Sequence, residues 1–209
     1  MTTHRSSWER AWIGVGATGD GASIHAALVE KYSEPHRAYH SLQHLSECLC
    51  AFEQARFLAA NPAEVEAALW FHDAIYDVHR GDNEELSAQW ARSALLASGA
   101  RADSAERVSQ LILTTRHSAA PLTQDEFVLI DIDLAILGAE QDRFAEYERQ
   151  IRREYSFVPE TLFCQKRRDI LASFLARPHI YSTEHFRAAL EHRARQNLLR
   201  AIGAHTPHG

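Results

Sequence analysis

The chain has 209 residues, 45% of them hydrophobic and 24% charged, with a formal net charge of −6. A folded chain of this length buries roughly 70% of its unfolded surface, so it can hold a core without disulfide or metal staples. The mild acidity and dispersed basic residues argue against a duplex nucleic-acid partner, no apolar run approaches the roughly 20 residues of a membrane span, and no secretory signal heads the chain, so a cytoplasmic protein is expected.

Cys48, Cys50 and Cys164 form neither a C-x-x-C pair nor an even framework, and they read as core or helix-surface thiols of a reducing compartment. The 13 histidines are the compositional oddity. Histidine is the commonest metal ligand, so their placement along the chain needs explaining.

Apolar residues recur with the 3.6-residue period over 22–33, 40–60, 62–76, 83–98, 102–117, 124–137, 141–155, 160–176 and 183–202, and β-type alternation is scarce. This predicts an all-α fold. Residues 1–21 read as an N-terminal helix and a flexible Gly-rich loop, 22–140 as the core, and 141–203 as C-terminal helices packed on it, in one domain overall. The run "GVGATG" formally matches G-x-G-x-x-G, but a helix-like "WERAWI" precedes it and no parallel sheet follows, so it reads as a loop. Farther on, Asn61 before Pro62 predicts an N-cap with a first-turn proline, and Asp82 with Glu85 predicts a capping box.

Three places carry candidate chemistry. In "YHSLQH", His40 and His44 stand at i and i+4, so on one helix they share a face about a turn apart. In "AALWFHD", His72 and Asp73 close an apolar helix, where burial is costly unless they are paired or metal-bound. In "VLIDIDLAILG", Asp131 and Asp133 lie within an otherwise apolar helix, a context that calls for a cation.

The order H…HD…D on the helices of an all-α chain resembles the HD superfamily of metal-dependent phosphohydrolases. "RAYHSLQHLSECL" is similar to a stretch of the cyclic-nucleotide phosphodiesterases, and "DIDLAILG" to the D-x-D segment of the dNTP triphosphohydrolases. More narrowly, "FHDAIYD", "DNEELSA", "DIDLAILG" and "ARPHIYST" together resemble a bacterial subgroup of HD phosphohydrolases, over about residues 24 to 200. The resemblance implies a single HD-domain helical bundle with a C-terminal helical extension. It implies a metal shell of His44, His72, Asp73 and Asp133, with Asp133 favoured over Asp131, and His40 as general acid.

A mixed nitrogen and oxygen shell of this kind suits Mn, Fe, Co, Ni or Zn. One ion is expected, or two if His117, in "LTTRHSAA", also reaches the centre. Asp77 stands where related ppGpp hydrolases use one acid of a pair, with Tyr76 in place of the other, which suggests a role in orienting water. Arg37, Arg80 and Arg116, with His79, are candidates for binding phosphate, and Asn83 and Glu84 for capping and support. The function so implied is hydrolysis of a phosphoester or phosphoanhydride in a nucleotide or other small phosphorylated metabolite. Two other classes compete: a di-iron oxygenase of HD type, and a non-catalytic metal-containing module that binds a nucleotide.

Overall fold

The computed structural model describes residues 2–204, and the protein is all-α, with ten α-helices and no strand among those residues. No helix of the described residues is long and apolar enough to cross a membrane. The chain forms two compact units, one up to Ile132 and one from Asp133, a division that falls ahead of the 140/141 boundary drawn from the sequence.

In the first unit, α1 (Thr2–Gly14), α3 (Leu42–Ala55), α5 (Asn83–Ala97) and α6 (Ala102–Thr114) pack around α4 (Pro62–Phe71), and α2 (Ala22–Tyr32) packs on α3. Every residue of α4 from Glu64 to Phe71 is buried, which is why this helix shows an apolar run instead of a stripe. Its two acids are matched. Glu66 accepts hydrogen bonds from the Ser7 hydroxyl at 2.6 Å and from Arg10, and Glu64 accepts from the Ser104 hydroxyl at 2.8 Å and from Arg107 at 2.7 Å. Large side chains seal the centre: Trp8, Trp70 and Phe71 are almost wholly buried, and each stabilises the fold by roughly 1.5–3 kcal/mol or more relative to exposure.

Helix α7 (Gln124–Asp133) is anchored at its start. The Asp125 carboxylate accepts from the backbone N–H of Ala60 at 2.7 Å and of Asn61 at 3.1 Å, tying α7 to the link between α3 and α4.

Three local expectations change. Asn61 occupies the N-cap of α4 with Pro62 behind it, but its side chain donates to Asp125 at 2.9 Å instead of capping. Asp82 makes no capping box, because its carboxylate is held by Arg80 at 2.7 and 2.8 Å; the loop before α5 is closed by Asn83, which accepts from the Asp77 N–H at 3.1 Å and donates to the Asp77 carbonyl at 2.9 Å. The Gly-rich stretch is a pinned strap, not a flexible loop. Both the N–H and the hydroxyl of Thr18 donate to the Ser98 carbonyl, at 2.7 and 2.8 Å, and Val15 and Ala17 are buried. Gly21 there has φ +59, and a Cβ at that position would stand 2.8 Å from the Trp12 ring, so only glycine fits.

The second unit opens with a short 3₁₀ turn over 134–138 and continues through α8 (Gln141–Glu154), α9 (Glu160–Leu175) and α10 (Glu184–Ala204). Helix α10 packs on the 3₁₀ turn and on α9. Asn197, fully buried, donates to the carbonyls of Leu137 at 2.8 Å and Ala139 at 2.9 Å, and the Tyr181 hydroxyl donates to Leu134 at 3.1 Å, so the end of the turn is satisfied by side chains.

Candidate metal centre

Two helix ends place the key groups. Ser41 is extended, with φ −121 and ψ −177, and its hydroxyl accepts from the Gln43 N–H; α3 therefore begins at Leu42 and sets His44 in its first turn, buried. Helix α4 stops at Phe71, so His72 and Asp73 form the turn that leaves it.

That turn is braced from outside. The Arg37 side chain is fully buried; its Nη1 donates to the carbonyls of Asp73 at 2.6 Å and His40 at 3.0 Å, its Nη2 to Ala74 at 3.0 Å, and its Nε to Glu34 at 3.2 Å. The Tyr32 hydroxyl accepts from the Asp73 N–H at 3.2 Å. Arg37 is thus directed at backbone carbonyls, not at a phosphate as the sequence suggested. A loop-rich turn leaves carbonyls that need donors, and the guanidinium fork supplies several at once.

His44, His72 and Asp73 converge. The two Nε2 atoms are 3.1 Å apart, His72 Nε2 is 3.1 Å from Asp73 Oδ2, and His44 Nε2 is 3.5 Å from the same oxygen. Donor atoms on neighbouring vertices of a shell with metal–ligand bonds of about 2.0–2.2 Å stand roughly 2.8–3.6 Å apart, from octahedral to tetrahedral angles, which fits this triangle.

His72 Nδ1 lies 2.8 Å from the Leu69 carbonyl, which can only accept, so Nδ1 carries the hydrogen and Nε2 of the neutral ring presents its lone pair. A lone pair facing a carboxylate oxygen at 3.1 Å needs a cation or a proton between them. A backbone carbonyl fixing the far nitrogen is also the usual support of a metal-bound histidine.

Burial pushes the Asp73 carboxyl upward, but where a proton rather than a cation fills the gap, the His72 and His40 charges and the His72 Nε2–H hydrogen bond outweigh it and hold the group well below the usual carboxylate range. Asp73 therefore stays ionised and ready to bind a cation. Tyr32 is held well above the ordinary phenol value, first by burial and then by the Asp73 charge, so it remains a neutral hydroxyl.

One ligand atom each from His44, Cys48, His72 and Asp133 lies within 4.8 Å of the others, a group that could hold a metal ion; Asp73 is not in that group, although its Oδ2 stands 3.1 and 3.5 Å from the two histidine nitrogens. Asp133 is the last residue of α7, a helix whose other residues belong to the first unit. Asp131 is fully buried two positions earlier and falls outside this group, because residues two apart on a helix face different ways. Cys48 was read from the sequence as an ordinary thiol. Its signal was available in the spacing, since His44 and Cys48 are i and i+4 on α3.

His40 does not share a helix face with His44, because the Ser41 cap starts the helix after it. Its ring instead stacks on Tyr76 at 4.0 Å and lies 6.1 Å from the His44 ring. Asp77 accepts from the His79 N–H at 2.9 Å and so shapes the loop after the centre. Together with Tyr76, His79 and Arg80, it lines an open cleft of about 460 Å³, to which Lys31, Glu34 and His36 also contribute.

Arg80 pairs with Asp82 on the exposed surface, and Arg116 is an exposed partner of Glu85. His117 follows α6 in a left-handed turn, with φ +53. The cleft joins Asp77, His79 and Arg80; Arg116 and His117 are not among its lining residues, and neither Asp77 nor His117 is in the donor cluster. No protein-family model, curated protein or solved structure matches the chain.

Proposed function

We propose that the protein is a metal-dependent hydrolase that cleaves a phosphoester or phosphoanhydride bond in a nucleotide or other small phosphorylated metabolite. The observation that carries this reading is the convergence of His44, His72 and Asp73, with the His72 lone pair fixed toward the carboxylate by the Leu69 carbonyl. The donor set fits a divalent transition ion, and its order along the chain is the one that resembles the HD phosphohydrolases. When bound, such an ion supplies charge neutralisation for a phosphoryl group and an acidified water as nucleophile.

The chain's own residues do the rest. Asp73 contributes fixed negative charge, and Arg37 and Tyr32 hold its backbone in place. His40, half-buried and stacked on Tyr76, holds a proton for the leaving oxygen. The cleft beside Tyr76 receives the rest of the substrate, with Arg80 as its candidate contact to an anion among walls that also carry Lys31, Glu34 and Asp77. The Arg80–Asp82 pair is solvent-exposed and therefore weakly held, so Arg80 can turn to a phosphate.

The test is metal analysis of the purified full-length protein, followed by phosphate release across nucleotides and sugar phosphates, with Asp73→Ala as the control. Metal-dependent release that vanishes in the variant supports the reading. A coloured, iron-loaded protein that consumes O₂ and releases no phosphate would replace hydrolysis with oxygenation, and tight nucleotide binding without product would make the protein a binding module.

A further inference from the structure

We infer that Cys48 is a ligand of the metal centre, so that the site carries one thiolate and prefers a sulfur-accepting ion such as zinc, cobalt(II) or iron(II) over manganese or magnesium. The inference rests on the metal-centre reading above and extends it, because the H…HD…D pattern contains no sulfur.

Three observations place the sulfur. Cys48 is almost fully buried, so it is not an incidental surface thiol. It follows His44 by four residues on α3, so both side chains leave the same helix face one turn apart, a spacing at which two side chains can grip one ion. Its Sγ lies 3.7 Å from both ring nitrogens of His44, including the Nε2 that faces His72 and Asp73, and within 4.8 Å of the ligand atoms of His72 and Asp133. With metal–sulfur and metal–nitrogen bonds of about 2.3 and 2.0–2.1 Å, adjacent sulfur and nitrogen donors are expected roughly 3.3–3.7 Å apart. The observed separation needs no rearrangement of α3.

A buried cysteine most often serves only as a small hydrophobe. Here the sulfur instead stands beside two imidazoles and near the Asp133 carboxylate, a donor set that favours a cation, and a bound cation would displace the thiol proton. On coordination the S–H bond is exchanged for a sulfur–metal bond and the proton leaves to solvent. Soft thiolate selects against hard oxygen-seeking ions, and this gives the inference its measurable signature.

The full-length protein is loaded with one equivalent of Co²⁺ and its near-ultraviolet spectrum recorded. A thiolate-to-cobalt charge-transfer band is expected in the wild type, retained in Cys50→Ser and Cys164→Ser and lost in Cys48→Ser while cobalt stays bound. In Cys48→Ser, the ratio of Zn²⁺ to Mn²⁺ affinity should fall by at least the roughly 10–100-fold that loss of a supporting group around a metal costs. Cobalt bound through His44 and His72 without the band, or a band that follows Cys50 or Cys164, overturns Cys48 as a ligand and leaves the metal centre standing. Wild type that binds no cobalt, or binding that survives His72→Ala, overturns the centre itself. Should Cys48→Ser fail to fold, X-ray absorption of the zinc-loaded wild type decides: one sulfur at about 2.3 Å is expected, and a shell of nitrogen and oxygen alone overturns the inference.

Discussion

Arg37 donates to the backbone carbonyl of Asp73 at 2.6 Å, so the residue that brings the carboxylate to the two imidazoles is held through its main chain by a fully buried guanidinium. The same group bonds His40 and Ala74, which links the loop before α3 to the turn after α4. Replacing it leaves several carbonyls without their donor, each costing roughly 1–3 kcal/mol if it stays buried and unsatisfied. Arg37→Met should therefore lose about 3 kcal/mol or more in denaturant unfolding and bind metal more weakly. A loss below about 1 kcal/mol with metal affinity unchanged would contradict the bracing role and return Arg37 to the candidates for binding phosphate.

Asp73→Ala should empty the centre and abolish activity, because it removes an oxygen 3.1 Å from His72 Nε2 and 3.5 Å from His44 Nε2. Asp133→Ala should lower metal content, whereas Asp131→Asn should keep it, since Asp131, two positions from Asp133 on α7, faces a different way. Metal stoichiometry by elemental analysis on folded variants separates the two aspartates. Loss of metal in Asp131→Asn alone would reverse the assignment within "DID".

His40→Ala should leave metal content near wild type and slow turnover by about 10²–10⁴-fold, the usual contribution of a general acid. The loss should shrink for a nitrophenyl ester, whose leaving group needs little protonation. Equal losses on good and poor leaving groups would mean that His40 only positions substrate through its stack on Tyr76.

The first unit should also lose stability in mild acid. Burial holds the His25 imidazole below its ordinary value, assisted by the nearby His4 and Arg5 charges, and burial lowers His4 as well. His25 Nε2 is buried without a hydrogen-bond partner, so protonation there gains no acceptor. A histidine whose folded value is depressed favours the unfolded state once that state takes up protons. Stability should thus be complete above an unfolded value of about 6.5 and decline as pH falls from there through the lowered folded values. Urea unfolding between neutral and mildly acid pH checks this, and His25→Gln should flatten the slope. An unchanged slope would assign the proton uptake elsewhere.

Much of this arrangement was legible in residue order, and the rest was not for identifiable reasons. The apolar period marked every helix from α2 to α10, and "AALWF" ending at His72-Asp73 marked the buried turn, because a helix buried on all sides shows as an unbroken apolar run. The start of α3 was misplaced. The pattern continues through His40, and only the conformation of Ser41 shows that the helix begins later.

Arg37 left no trace of its role, since bonds to backbone carbonyls impose no pattern on the residues that supply them. The strap over 14–21 looked flexible because its restraint comes from Ser98, far away in sequence. Cys48 was passed over because a lone cysteine is usually inert, and only the fold brings His72 and Asp133 near its sulfur.

The most direct test of the central claim is anomalous diffraction from crystals of the full-length protein loaded with zinc or cobalt. One anomalous peak is expected within about 2.0–2.3 Å of His44 Nε2, His72 Nε2 and a carboxylate oxygen of Asp73. A peak at other residues, or none at saturating metal with His44 and His72 still 3.1 Å apart, would contradict it.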